Sequence, residues 1–268
     1  MATKVICTEL SLPWFTVQAL AFIPSVEEGH AVKKEWAFFT HGYTSHKGDC
    51  LNWATRLVEV GVPCVIFDHP GHYLGSFYEA NSLEEFKAHS HEIFGEAFVR
   101  MNLLMEQTLG VGQYPPCTSV ILGGHSLGAF NCIRATELPV FKDFQRVAVA
   151  IGSGVGQNQA NHLFESAFYE KTLSIRRQLV SPALDSKEVF AWLRKDKMEI
   201  TVSNQRIHII TGEDDVVVGP TGVETFKQVL EANGNIVSVE RPKKLPHHEP
   251  GHASPHIYSF LKNHFGWK

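Results

Sequence analysis

The stretch from Thr118 to Phe130, Thr-Ser-Val-Ile-Leu-Gly-Gly-His-Ser-Leu-Gly-Ala-Phe, constrains the fold of this chain more than any other. An apolar run, Val120 to Leu122, ends in Gly124-His125-Ser126-Leu127-Gly128, and a helix-like run, Ala129 to Leu138, follows at once. This is a G-x-S-x-G pattern set between a strand and a helix, the context its mechanics require. So sharp a reversal forces strained backbone angles on Ser126. Glycines at 124 and 128 remove the side chains that would collide as strand and helix close on each other. The turn lifts the Ser126 hydroxyl above the sheet edge, at the start of the next helix, and makes it a candidate nucleophile.

The flanking sequence supplies a sheet for that turn to sit on. Residues 5–24 read as two strands around a turn at Leu12-Pro13. Trp36 to Phe39, Val62 to Phe67, Val147 to Ile151, Ile207 to Ile210 and Ile236 to Val239 are short, continuous apolar runs. Helical spacing lies between them: residues 48–60, then a helix from the Ser82–Glu85 capping box to about Leu109 with a bend at Gly95. A second capping box, Thr221 to Glu224, opens a helix to about Ala232, and Ser254-Pro255 opens the last one. Strands that are apolar throughout and alternate with helices predict an α/β fold, a mostly parallel central sheet covered by helices on both faces. The alternation breaks at 157–200, which holds two helix-like pieces, about Gln159 to Leu179 and a second capped by Asp185. The expected organisation is a core of residues 1–156 and 201–268 with a helical cap, 157–200, lying over the C-terminal ends of the strands.

Composition narrows the function classes. Net charge is -4, with no basic stripe, so nucleic acid is not an expected partner. The apolar runs are too short to span a bilayer, and Met1 to Leu12 lacks the apolar core of a secretory signal. Five cysteines, an odd number with no C-x-x-C pair, argue for reduced, buried thiols in a cytoplasmic protein.

A serine hydroxyl needs a base within hydrogen-bond reach, and the base needs an orienting acid. In open parallel sheets such groups gather in loops at the C-terminal ends of strands. The loop after 147–151 has no acid. The loop after 207–210 carries Glu213, Asp214 and Asp215, and the one after 236–239 carries His247, His248 and His252. The resulting chain order, Ser then Asp then His, is the order that accompanies this serine turn.

With these motifs the chain resembles the alpha/beta-hydrolase superfamily over nearly its whole length. The family's His-Gly dipeptide after the third strand matches His41-Gly42, and its Asp-x-x-Gly loop matches Asp68-His69-Pro70-Gly71. The resemblance implies that the backbone N–H groups of Tyr43 and Leu127 form an oxyanion hole. Its Gly-x-x-Asp motif matches Gly212 to Asp215 and favours Asp215 over Asp214. Its usual spacing, seven residues before the proline of the last helix, favours His248; His252, preceded by glycine, and His247 stay open as alternatives. It further implies a cofactor-independent hydrolase of carboxylic esters with a small-molecule substrate. Phe164 and Phe168, with Phe190 and Trp192, read as cap core first and substrate contacts second, and His125, beside the nucleophile, as a packing residue that also borders the substrate. C–C bond cleavage, thioester cleavage, lyase chemistry or a non-catalytic receptor are the other outcomes the scaffold allows.

One competing motif overlaps these residues. His248-Glu249-Pro250-Gly251-His252 reads as H-E-x-x-H, a two-histidine zinc pattern. That chemistry needs a continuous helix, and Pro250-Gly251 weighs against one by roughly 4 kcal/mol, so no metal is expected. His69 and His72 read as loop residues that line the pocket or face solvent, and His208 as a satisfied core histidine.

Overall fold

The computed structural model describes residues 3–24, 31–76, 78–156 and 167–267. Eight strands form one sheet: β1 (Lys4–Ser11), β2 (Thr16–Ile23), β3 (Glu35–Thr40), β4 (Cys64–Phe67), β5 (Ser119–His125), β6 (Gln145–Ile151), β7 (Arg206–Ile210) and β8 (Ile236–Glu240). Their order is β1-β2-β4-β3-β5-β6-β7-β8. β2 runs antiparallel to both β1 and β4, and every other pair is parallel. The outermost strands alternate exposed and half-buried residues, while β3 to β6 are buried almost throughout. That contrast is what a sheet covered on both faces requires of its centre and its edges.

The period of two along each strand divides the core. Trp36, Phe38, Val120, Leu122, Ala148 and Ala150 face one way, onto α3 (Ile93–Leu109) and α4 (Leu127–Ala135). Ala37, Phe39, Ile121, Val147 and Val149 face the other way, onto α1 (Leu51–Val58) and α8 (Ser254–Phe265). The terminal helix docks through Ile257 and Leu261, both buried, and Phe260 stacks flat on His208 at 3.8 Å.

Several element boundaries differ from the sequence reading, each for a local reason. The helix expected from Ser82 to Leu109 is two, α2 (Leu83–His89) and α3. The break falls at 90–92, ahead of Gly95, where the buried Ser90 hydroxyl turns to Asn131 of α4 and His89 pairs with Glu92. Ser82 does cap α2, accepting from the Glu85 N–H. α7 (Gly219–Ala232) starts two residues before Thr221, because the Asp215 carboxylate takes the N–H groups of Val217 and Val218 and organises the turn itself. Ser254 is a helical residue of α8, not its cap, and its hydroxyl goes to the Asn52 carbonyl.

The segment after β6 contains α5 (Ala167–Arg176) and α6 (Ser186–Met198), joined by two short 3-10 turns. α6 is packed into the main core: Trp192 lies edge-on to Phe86 and Phe130. Among the described residues no helix is long and apolar enough to cross a membrane. All five cysteines are free; Cys50, Cys64 and Cys132 are buried, and Cys7 is exposed.

Candidate active site

The turn between β5 and α4 holds Ser126 at φ 52° and ψ −103°, outside the regions open to most side chains. Its N–H donates to the Ile151 carbonyl at the end of β6. The two flanking glycines carry the close approach. A Cβ on Gly124 would stand 2.4 Å from the Gly128 backbone, and one on Gly128 would stand 2.6 Å from the His41 carbonyl oxygen. Strain of this kind costs about 1–3 kcal/mol. Ser126→Gly is therefore expected to be more stable than Ser126→Ala by about 1 kcal/mol. Paired urea melts measure this; equal stabilities would mean the turn stores no strain at this residue.

Of the three candidate histidines, His247 and not His248 stands against the serine. Its Nε2 lies 3.1 Å from the Ser126 Oγ, and its Nδ1 lies 2.8 Å from Asp215 Oδ2. The expectation of His248 is thus corrected by one position. The loop register explains why. Leu245, two residues earlier, is buried, and its N–H donates to Asp214 Oδ1. Gly212 approaches so near that a Cβ there would meet the Leu245 carbonyl at 2.1 Å. With Leu245 locked inward, His247 follows it to the inside. His248 lines the outer cavity, and His252 is exposed and paired with Glu249 at 3.2 Å. The segment Pro250–Ala253 is a 3-10 turn rather than the continuous helix a two-histidine zinc motif needs.

The two neighbouring acids divide their work. Asp214 braces the histidine loop through Leu245, while Asp215 is buried and accepts from His247, Val217 and Val218. Burial pushes the Asp215 carboxyl up, but the His247 hydrogen bond and charge and the two N–H groups together hold it below its ordinary range. An ionised carboxylate accepts only, so Nδ1 of His247 carries the proton and Nε2 is left free to accept one from the serine.

The His41-Gly42-Tyr43 loop sits directly over the turn. A Cβ on Gly42 would lie 2.6 Å from His125 Nδ1 and 3.3 Å from the Ser126 Cβ. The His41 carbonyl accepts from the Gly128 N–H at 3.1 Å, tying this loop to α4. Neither the Tyr43 nor the Leu127 N–H has an acceptor among the described residues. The Tyr43 hydroxyl donates to the Leu184 carbonyl at 2.6 Å, anchoring the loop to the segment between α5 and α6.

Behind this loop lies a cluster of imidazoles. His41, His69 and His72 are fully buried, with ring centroids 5.0 to 5.7 Å apart. His69 and His72 therefore neither line the pocket nor face solvent. His41 donates from Nδ1 to the Gly42 carbonyl and accepts the His69 N–H at Nε2, so it is neutral by its bonding alone. Burial brings His41 and His72 down to about 3. His125 is buried beside them and packs on the His247 ring at 4.7 Å, so it positions that ring as well as lining the cavity. His208 donates or accepts at Nδ1 with the Ser238 hydroxyl, 2.8 Å away.

Two cavities meet at Ser126. The larger, about 690 Å³, runs between the Tyr43–Asp49 loop, α5 and His248, with Leu74, Leu179, Phe190 and Val217 among its apolar walls. The smaller, about 60 Å³, is bounded by Gly152, Gly154, Phe190, Leu193, Arg194, Lys197 and Val218. Phe164, an expected substrate contact, lies outside the described residues, and Phe168 lies on α5 with its side chain outside them too. Phe190 is the aromatic that reaches both cavities. Lys197 was invisible to motif reasoning. Its signal was the spacing Val189, Leu193, Lys197, which continues the buried stripe of α6 into a charged residue.

No family model matches the chain, and no curated protein matches it. Solved structures do. An acylaminoacyl peptidase of Pyrococcus horikoshii superposes with a TM-score of 0.61 at 14% identity, over 98% of this chain and 41% of that one. A lipase in its open form gives 0.58 at 17%, over 98% of this chain and 99% of that one. A thermostable carboxyl esterase from Bacillus coagulans gives 0.61 at 15%, over 98% and 99%. The chain thus spans about two-fifths of the peptidase and the full length of the lipase and the esterase. With a serine turn after the fifth of eight strands, and a strand order that places the acid and histidine loops beside it, the chain has the alpha/beta-hydrolase fold.

Proposed function

We propose that the protein is a cofactor-independent serine hydrolase that cleaves carboxylic esters through an acyl-enzyme. The observation that carries this reading is the continuous relay from Ser126 through His247 to Asp215 at the floor of a cavity large enough for a small substrate. Ser126 Oγ attacks the acyl carbon while His247 Nε2 takes its proton. The carbonyl oxygen, now anionic, is received by the N–H groups of Tyr43 and Leu127, each such donor being worth about 3 kcal/mol in comparable sites. Asp215 keeps the proton of His247 on Nδ1 and stabilises the imidazolium. The imidazolium then protonates the leaving alcohol, and water, activated by the same nitrogen, releases the acid. The described part of the cap, residues 167–200, covers the cavity: Phe190, Thr172 and Arg176 form part of its wall, so the acyl and alcohol groups are held away from bulk water.

The test is direct. Purified protein should hydrolyse p-nitrophenyl esters and be labelled by a fluorophosphonate, with the adduct mapped by mass spectrometry to Ser126. Absence of both turnover and label would overturn the reading. Tight binding of an ester without turnover, unchanged in Ser126→Ala, would mark a receptor instead.

A further inference from the structure

The smaller cavity contains a group that the hydrolytic relay does not use. Lys197, on the last turns of α6, is only 8% exposed. Its ammonium donates to the Gly154 carbonyl at 3.0 Å and rests 5.7 Å from the Phe226 ring centroid. It has no ion-pair partner among the described residues. Gly154 and Lys197 both wall the cavity that opens beside Ser126 and His247. A buried ammonium with one carbonyl for three donors is under-satisfied, and taking it out of water costs several kcal/mol unless an anion or water completes it. Arg194, one turn earlier, adds a second positive charge to the same wall. The Asp215 carboxylate, whose charge reaches Lys197, accepts from His247, Val217 and Val218 and makes no ion pair with the ammonium.

We propose that this cavity is an anion subsite and that the substrates are hemiesters of short dicarboxylic acids, whose free carboxylate meets the Lys197 ammonium while the scissile carbonyl lies over Ser126. The inference rests on the ester-hydrolase reading above and names its substrate class. The size of the space supports a carboxylate: about 60 Å³ takes a few heavy atoms and excludes a long acyl chain. The single buried ammonium matches one negative charge. The larger cavity, with its apolar walls, receives the alcohol part. Binding energy gained at the remote carboxylate then orients the carbonyl for attack.

The experiment compares n-butyl hemisuccinate with n-butyl isocaproate, which replaces the carboxylate by an uncharged group of the same shape. The wild-type protein should prefer the hemisuccinate in kcat/KM by about tenfold or more, the discrimination of one charge-assisted hydrogen bond. Lys197→Met should erase that preference. Free succinate should slow fluorophosphonate labelling of Ser126 in the wild type and not in Lys197→Met. An equal or higher kcat/KM for the isocaproate, or a preference that survives in Lys197→Met, would overturn the subsite and leave the hydrolase standing. Loss of hydrolysis of both esters together with loss of labelling in the wild type would instead remove the hydrolase reading. Should Lys197→Met fail to fold, the wild-type preference and succinate protection decide the matter, and Lys197→Gln repeats the comparison.

Discussion

Replacing His247 by alanine is expected to lower kcat/KM for a p-nitrophenyl ester by on the order of 10⁴ to 10⁶-fold, while His248→Ala stays close to the wild type. The asymmetry follows from geometry. His247 stands between the Ser126 hydroxyl and the Asp215 carboxylate, at 3.1 and 2.8 Å, whereas His248 belongs to the cavity wall. Without the imidazole the serine keeps its proton, and oxyanion stabilisation alone remains. Asp215→Asn should cost on the order of 10⁴-fold, because an amide at that position favours the wrong tautomer of His247. Asp214→Asn should lower stability more than it lowers kcat, since Asp214 acts on Leu245 and not on the ring. Equal losses in His247→Ala and His248→Ala, or a larger one in His248→Ala, would remove His247 from the relay.

The second large effect is acid instability. His41 and His72 sit near 3 in the folded protein against an ordinary value of 6.5, because burial disfavours their charged forms. Unfolding restores the ordinary value, so below about pH 6.5 the unfolded chain binds protons that the folded chain refuses. The stability these groups confer is therefore complete above 6.5 and is lost as the pH falls towards 3. At pH 5 each contributes a loss of about 2 kcal/mol, about 4 kcal/mol for the pair. His69 and His125 lie well below the ordinary value for the same reason, and His91 and His208 are down to about 3 and about 4. The loss from His41 and His72 alone is already a large part of the stability of an average domain, about 5–15 kcal/mol. Asp68, pushed up by burial against the pull of Lys47, works in the opposite sense. The expected result is a urea midpoint flat above pH 7 and falling steeply between pH 6.5 and 5. His72→Gln, which keeps a donor for the Pro70 carbonyl but cannot titrate, should flatten that slope by close to one proton. A midpoint unchanged down to pH 5 would contradict a buried neutral cluster.

How much of this was legible without coordinates differs from residue to residue. The Ser126 turn was legible because its chemistry is local: a strand, two glycines and a helix within thirteen residues leave one conformation. The parallel sheet was legible because strands buried on both faces must be apolar throughout. The helix starts at Thr221 and Ser254 were misplaced because a distant partner, Asp215 in one case and Asn52 in the other, outweighed the local cap signal. The histidine was misplaced by one position because spacing to Pro255 counts residues along a loop, whereas the inward residue is set by Leu245 sinking into the core.

By itself the sequence determined which kinds of residue would meet, and in which loops, because periodicity and turn chemistry act over a few neighbours. Tertiary structure alone decided which of three histidines reaches the serine, that His69 and His72 are buried, and that Lys197 looks into the site. Those outcomes depend on packing between segments well separated in the chain, from 28 residues for His41 and His69 to 121 for Ser126 and His247. A one-residue change of register there turns a side chain from the cavity to the core, and no local propensity records it.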